Sequence, residues 1–242
     1  MRFGKIQYLN LLVFDVFIKA APLPQASKAA YRLRKSYPAR LNQEFLFRRI
    51  DAGFISSIAA YNPHRIRKTC KAGIIAKDKV WSVIVLHDEA GCEWDYQSAT
   101  SNALCRILGL SGRVLIGDRA LQLYYARGGL VGMTDMAQAW HERQGLPFVF
   151  GRLCANVNLD FYRRLVSVFN RRLGRGHPRF KGVKVPHYLL TTAANRLGLS
   201  KTFARTYLDN IYYTIGAREE VSVFRFYRLL RMRRIVAPKR FG

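Results

Sequence analysis

Apolar residues along the chain fall into short runs that stop at turn signals. Four of these runs read as buried strands: Phe3 to Tyr8, Trp81 to His87, Val114 to Ile116 before Gly117-Asp118, and Phe148 to Cys154 after Pro147. Elsewhere the spacing predicts helices over Asn42 to Asp51, Ser98 to Leu108, Asp118 to Ala126, Thr134 to Arg143, Asp160 to Arg172, Pro186 to Leu197, Ser200 to Leu208 and Ala217 to Arg233. The last shows the helical period best, because Val223, Phe226, Tyr227 and Leu230 share a stripe that Arg225, Arg228 and Arg231 avoid. Strands alternating with helices predict an α/β fold with a largely parallel sheet. Two stretches interrupt the pattern. Leu173 to Val185 mixes glycine, proline and like charges and reads as an exposed loop; Pro22 to Pro38, basic and bounded by prolines, reads as an insertion.

With 242 residues, half of them apolar, the chain can bury a sizeable core, which excludes collagen-like, disordered and disulfide-knot classes. The balance of 41 Lys and Arg against 15 Asp and Glu gives +26, a sign that suits an anionic partner. Residues 151 to 242 hold 20 basic and 4 acidic side chains, so +16 of that charge lies in the C-terminal part. Cys70, Cys92, Cys105 and Cys154 form no CxxC pair and read as isolated reduced thiols, as in the cytoplasm. The opening apolar run is broken by Asn10 and Asp15 and has no small-residue cleavage site, so neither a signal peptide nor a membrane span is expected. His64, His87, His141, His177 and His187 lack metal-ligand spacing, and no metal is expected. Walker A, GxGxxG and GxSxG motifs are absent.

Candidate chemistry rests on neutral polar groups. Ser98, Thr100 and Ser101 cluster where a helix is predicted to start, an arrangement that can either bind a carboxylate or phosphate or simply cap the helix. Ser56 and Ser57 follow a short apolar run after Gly53 and invite the same two readings. Tyr8-Leu9-Asn10 closes the first strand, where α/β proteins place ligand-facing groups, although an Asn there can also serve its own turn. Ser82 sits inside the apolar run WSVIVL and needs a hydrogen-bond partner or a ligand. Gly128 to Gly132 follows a helix and reads as a loop. Phe224 to Arg228 has the look of a single-strand stacking surface, but its helical phasing assigns it to core and solvated face.

Taken in order, GKIQYLN, IDAGFISSIAAY, WSVIVL, SATSNAL, VLIGDRAL, AWHERQGLPFVFG and IYYTIGAREE resemble the chorismate dehydratases of the futalosine route to menaquinone, over nearly the whole chain. The resemblance implies a two-lobed type II periplasmic-binding-protein-like α/β fold with two crossing hinge strands and C-terminal helices. Residues 1–84 and 154–242 would form one lobe and 85–153 the other, with the ligand cleft between them. The implied activity is the dehydration of chorismate to 3-[(1-carboxyvinyl)oxy]benzoate without metal or organic cofactor. By motif position Asn10 and Ser82 would be the catalytic pair, and Tyr8, Ser56, Ser57, Ser98, Thr100 and Ser101 the substrate binders. Gln7 and Val13 depart from the family pattern, which has Asp and Pro there. A sister enzyme that makes dihydroxynaphthoate shares the implied fold, and SATS together with YLN fits the dehydratase better. Two other readings remain: a non-enzymatic binder of an anionic small molecule in the same cleft and, less favoured, a basic nucleic-acid-binding protein. The charge is read as solvated surface that steers a dianion.

Overall fold

The computed structural model describes residues 2–61, 68–87, 93–174 and 183–237. Among these residues the strands are β1 (Phe3–Ile6), β2 (Arg34–Ser36), β3 (Ala52–Ser56), β4 (Thr69–Ala76), β5 (Val83–Leu86), β6 (Arg113–Ile116), β7 (Met133–Asp135), β8 (Phe148–Ala155) and β9 (Ile211–Thr214). The helices are α1 (Leu12–Ala20), α2 (Gln25–Leu33), α3 (Pro38–Leu46), α4 (Ser57–Ala60), α5 (Ala99–Leu108), α6 (Gly117–Ala126), α7 (Met136–Gln144), α8 (Leu159–Leu173), α9 (His187–Arg196), α10 (Lys201–Asp209) and α11 (Ala217–Met232). None is long and apolar enough to cross a membrane.

The strands form two sheets, one of six in the order β2-β1-β3-β8-β4-β9 and one of three in the order β6-β5-β7. The expectation of a largely parallel sheet is corrected: among the described strands only β1 with β2 and β1 with β3 pair parallel, and the other strand pairs are antiparallel. The cause is the path of the chain. It leaves the larger sheet along β4, enters the smaller one at β5, and returns through α7 to β8, which pairs with β4 in the opposite sense, Ala76 facing Phe148 and Ile74 facing Gly151. A run buried on both faces is apolar whichever way it points, so its composition carries no direction.

The main core lies around the six-stranded sheet. Phe14 of α1 meets Phe54 of β3 edge-on at 5.1 Å and Phe169 of α8 at 4.9 Å between ring centroids. The stripe predicted for the last helix is buried on α11, where Phe226 packs on Phe148 at 5.2 Å. Burial of one such ring contributes about 1.5–3 kcal/mol.

Several boundaries moved for local reasons. The helix expected over Asn42 to Asp51 is α3, which starts at Pro38, whose fixed φ suits a first turn, and stops before Arg48, at φ +58°. The first turn of the helix expected from Thr134 is taken by β7, and Asp135 caps α7 by accepting from Ala137 N and Gln138 N. Pro22 to Pro38, read as an insertion, carries α2, whose Tyr31 packs on Phe3 at 4.9 Å, and the edge strand β2. Residues 175–182 of the expected loop, together with His64, His177 and Cys92, lie outside the described residues.

Candidate functional site

Between the two sheets lies a small pocket lined by residues of both. Its polar lining is Tyr8, Asn10, Ser56, Ser82, Ser98 and Ser101, and its walls are apolar, including Ile6, Ile74, Val83, Ile116 and Phe150. Among the described residues no charged side chain lines it.

Each polar group is set by its own support. Tyr8 follows β1 and donates its hydroxyl to Gln97 Oε1 at 2.6 Å. Burial, then the nearby Asp95 carboxylate, hold its phenol well above the ordinary range, so it is a proton donor at all working pH. Its ring lies against Gly117, which has φ +63° and where a Cβ would sit 2.6 Å from ring carbons. Asn10 sits in a 3-10 turn, Leu9–Leu11. That turn is held on one side by Leu9 N donating to Asp118 Oδ1 (2.9 Å) and on the other by Tyr213 Oη donating to Asn10 O (2.6 Å). The Asn10 side chain is 8% exposed, and its Oδ1 is buried with no hydrogen-bond partner. An unmet buried polar atom costs about 1–3 kcal/mol.

Ser56 ends β3, where its N donates to Asn42 Oδ1 and its Oγ accepts from Asn42 Nδ2, both at 3.0 Å. Ser82 precedes β5 and accepts from Tyr207 Oη at 2.8 Å, while its carbonyl accepts from Gly117 N at 2.7 Å. The turn into Ser82 is strained, with Trp81 at φ +61°. Asp135 holds that turn by accepting from Val80 N (2.8 Å) and Trp81 N (2.6 Å). Ser98 caps α5 by accepting from Ser101 N at 3.1 Å and donates to Ser101 Oγ at 2.8 Å, which turns the positive end of that helix toward the cavity.

Neutral donors, a helix N-terminus and apolar walls suit a small anionic molecule. Among the described residues no group of three or more His, Cys, Asp or Glu is placed to hold a metal ion. The sequence matches the family described as menaquinone biosynthesis over residues 1–113 and 108–232. The chain belongs to this menaquinone biosynthesis family. One family relative, the chorismate dehydratase of Campylobacter jejuni subsp. jejuni, is 37% identical over 227 residues, 93% of this chain and 96% of that protein. Among solved structures, a protein of Archaeoglobus fulgidus superposes with TM-score 0.60 at 13% identity, covering 97% of this chain and 98% of that one. The periplasmic aliphatic sulphonate binding protein of Escherichia coli superposes with TM-score 0.56 at 13% identity, covering 99% and 94%. The fold is therefore the periplasmic-binding-protein-like fold that the motifs implied.

Of the eight site residues expected in this family member, the fold brings six to the one cavity. The other two face elsewhere: Ser57 donates to Val149 O, and Thr100 Oγ1 accepts from Ile58 N at 3.1 Å, so they join α4 to β8 and α5. Sequence reasoning assigned no role to Asn42, Gln97, Gly117 or Tyr207. Gly117 followed a strand inside a quoted motif, which was a usable signal; Tyr207, 125 residues from its partner Ser82, offered none.

Proposed function

We propose that the protein removes water from chorismate to give 3-[(1-carboxyvinyl)oxy]benzoate, a cytoplasmic step of the futalosine route to menaquinone. The observation that carries this reading is that Asn10, Ser56, Ser82 and the Ser98–Ser101 end of α5 all line one cavity. The 37% identity to a protein named chorismate dehydratase supplies the substrate.

Chorismate carries two carboxylates, which oriented hydroxyl and helix-end donors suit and acidic side chains would repel. The ring C–H pair moves into the ring as its proton departs, the neighbouring C–O bond breaks, and hydroxide leaves; proton and hydroxide sum to water. The product ring is aromatic, so the driving force lies in the substrate and the protein supplies orientation and charge stabilisation. Among the described residues, no side chain lining the cavity is a base at neutral pH. The proton therefore goes to a carboxylate of the substrate itself, Asn10 holds that carboxylate in reach, and Ser82 hydrogen-bonds to charge that develops as hydroxide departs. We take the two sheets as the cores of two lobes; since β5 starts at Val83 in the smaller sheet and all of β8, from Phe148, lies in the larger one, the expected bounds 1–84 with 154–242 and 85–153 shift to before Val83 and before Phe148. The buried thiols of Cys70 and Cys154, which form no disulfide, favour a reducing compartment. Incubation with chorismate followed by mass spectrometry tests the reading. A product lighter by one water is expected; unchanged chorismate with a raised melting temperature would make the protein a binder only.

A further inference from the structure

Two of the cavity serines are each approached from behind by a buried donor. Tyr207 on α10, 1% exposed, has its hydroxyl 2.8 Å from Ser82 Oγ. Asn42 on α3, also 1% exposed, has its Nδ2 3.0 Å from Ser56 Oγ. The sense of both bonds follows from the surroundings. Ser56 N donates to the other amide atom of Asn42, so that atom is the oxygen and the one facing Ser56 Oγ is the N–H donor. The Tyr207 hydroxyl has Ser82 Oγ as its hydrogen-bond partner, and reversing the bond would strand the phenol proton in the core. Burial also raises the Tyr207 phenol above its ordinary range, which keeps that proton in place.

A hydroxyl owns one proton. Once its lone pairs accept from the interior, that proton must find an acceptor on the other side, and for both serines the other side is the cavity. We infer that Tyr207 and Asn42 are positioning residues that hold Ser82 and Ser56 as one-way hydrogen-bond donors toward the anionic groups and the departing hydroxyl of the substrate. This rests on the dehydratase reading proposed above. A serine free to rotate would offer a lone pair to those electron-rich atoms for part of the time; the fixed chain from Tyr207 through Ser82 to the substrate also polarises each bond in it.

The test is a double-mutant cycle on the full chain with chorismate, read by mass spectrometry of accumulated product so that slow variants remain measurable. Tyr207→Phe keeps the buried ring and is expected to lower kcat about tenfold, the loss of one oriented hydrogen bond, with KM changed less than about twofold. In a Ser82→Ala background the same substitution is expected to change nothing further, because the hydroxyl it oriented is gone. A merely structural role would lower both backgrounds by the same factor, and that result, or full activity of Tyr207→Phe, overturns the inference. Should Tyr207→Phe lose its cooperative melt, 3-fluorotyrosine at position 207 replaces it. This stronger donor raises kcat if Tyr207 acts through Ser82 and is silent in Ser82→Ala; silence in both overturns the proposal. Wild-type protein that makes no product overturns the dehydratase reading itself, whereas wild-type turnover with multiplicative losses overturns the positioning role alone.

Discussion

Gly117→Ala isolates what the floor of the cavity contributes. The residue has φ +63°, a conformation that costs a side chain about 1–2 kcal/mol, and its added Cβ would lie 2.6 Å from two carbons of the Tyr8 ring. Ordinary carbon contact is about 3.5–4.0 Å, so the ring must retreat by roughly 1 Å. That retreat stretches the 2.6 Å Tyr8–Gln97 hydrogen bond past its useful range of about 3.2 Å and removes the phenol from its place in the cavity. Gly128 provides the control: its φ is +67°, yet an added Cβ meets nothing within 4 Å. Both alanine variants are expected to melt a few degrees lower, roughly 2–4 °C for each kcal/mol in a chain of this size. Only Gly117→Ala is expected to lose kcat/KM on chorismate, by roughly 10- to 100-fold, the cost of misplacing a substrate-contacting group by about 1 Å. Calorimetry and a steady-state assay on the pair decide it. Equal kcat/KM for the two variants would refute the argument, since backbone strain would then account for everything.

Asn10→Ala is expected to cost about 100-fold or more in kcat, as loss of one oriented polar group in an active site does, without lowering the melting temperature, because it deletes a buried oxygen that has no partner; an inactive variant that also melts early would instead make Asn10 structural. Ser98→Ala removes the bond to Ser101 N and is expected to destabilise by about 1 kcal/mol in calorimetry while raising KM through the loosened end of α5. Burial pushes the Cys70 thiol up to about 11 and the Cys154 thiol to about 12, so alkylation mapped by mass spectrometry at pH 8 should leave both unlabelled until the chain is denatured. The sign of the linked effect follows: an unfolded thiol ionises first, so the stability these two contribute is complete below about pH 9 and declines as pH rises toward their folded values, which melts between pH 8 and 10 would register. With a net charge of +26, kcat/KM for a dianion is expected to fall with added salt, and a salt-independent value would remove steering from the account.

Legibility differed sharply between parts of the molecule. The stripe of Val223, Phe226, Tyr227 and Leu230 and the Ser98 cap could be read in advance because each depends on residues within two turns of one another. β3, β4 and β9 passed unnoticed as strands, and Pro22 to Pro38 passed as an insertion, since α2 and β2 are held by contacts with β1 that are remote in sequence. Among the polar candidates, adjacency misled: Ser56 faces the cavity while Ser57 turns to Val149 O, and Ser101 faces it while Thr100 turns to Ile58 N, because neighbouring residues at a strand end or a helix start point in different directions.

By itself, then, the amino-acid order determined the alternation of elements, the Ser98 cap, the absence of charge among the candidate groups and, through its motifs, the family. Strand direction, the convergence of Tyr8, Asn10, Ser56, Ser82, Ser98 and Ser101 on one hollow, and the buried donors behind two of its serines were decided only in three dimensions. The physical reason is range. Periodicity and capping act over a few residues, whereas a hydroxyl is aimed by whatever group the fold brings against it, and for Ser82 that group lies 125 residues further along the chain.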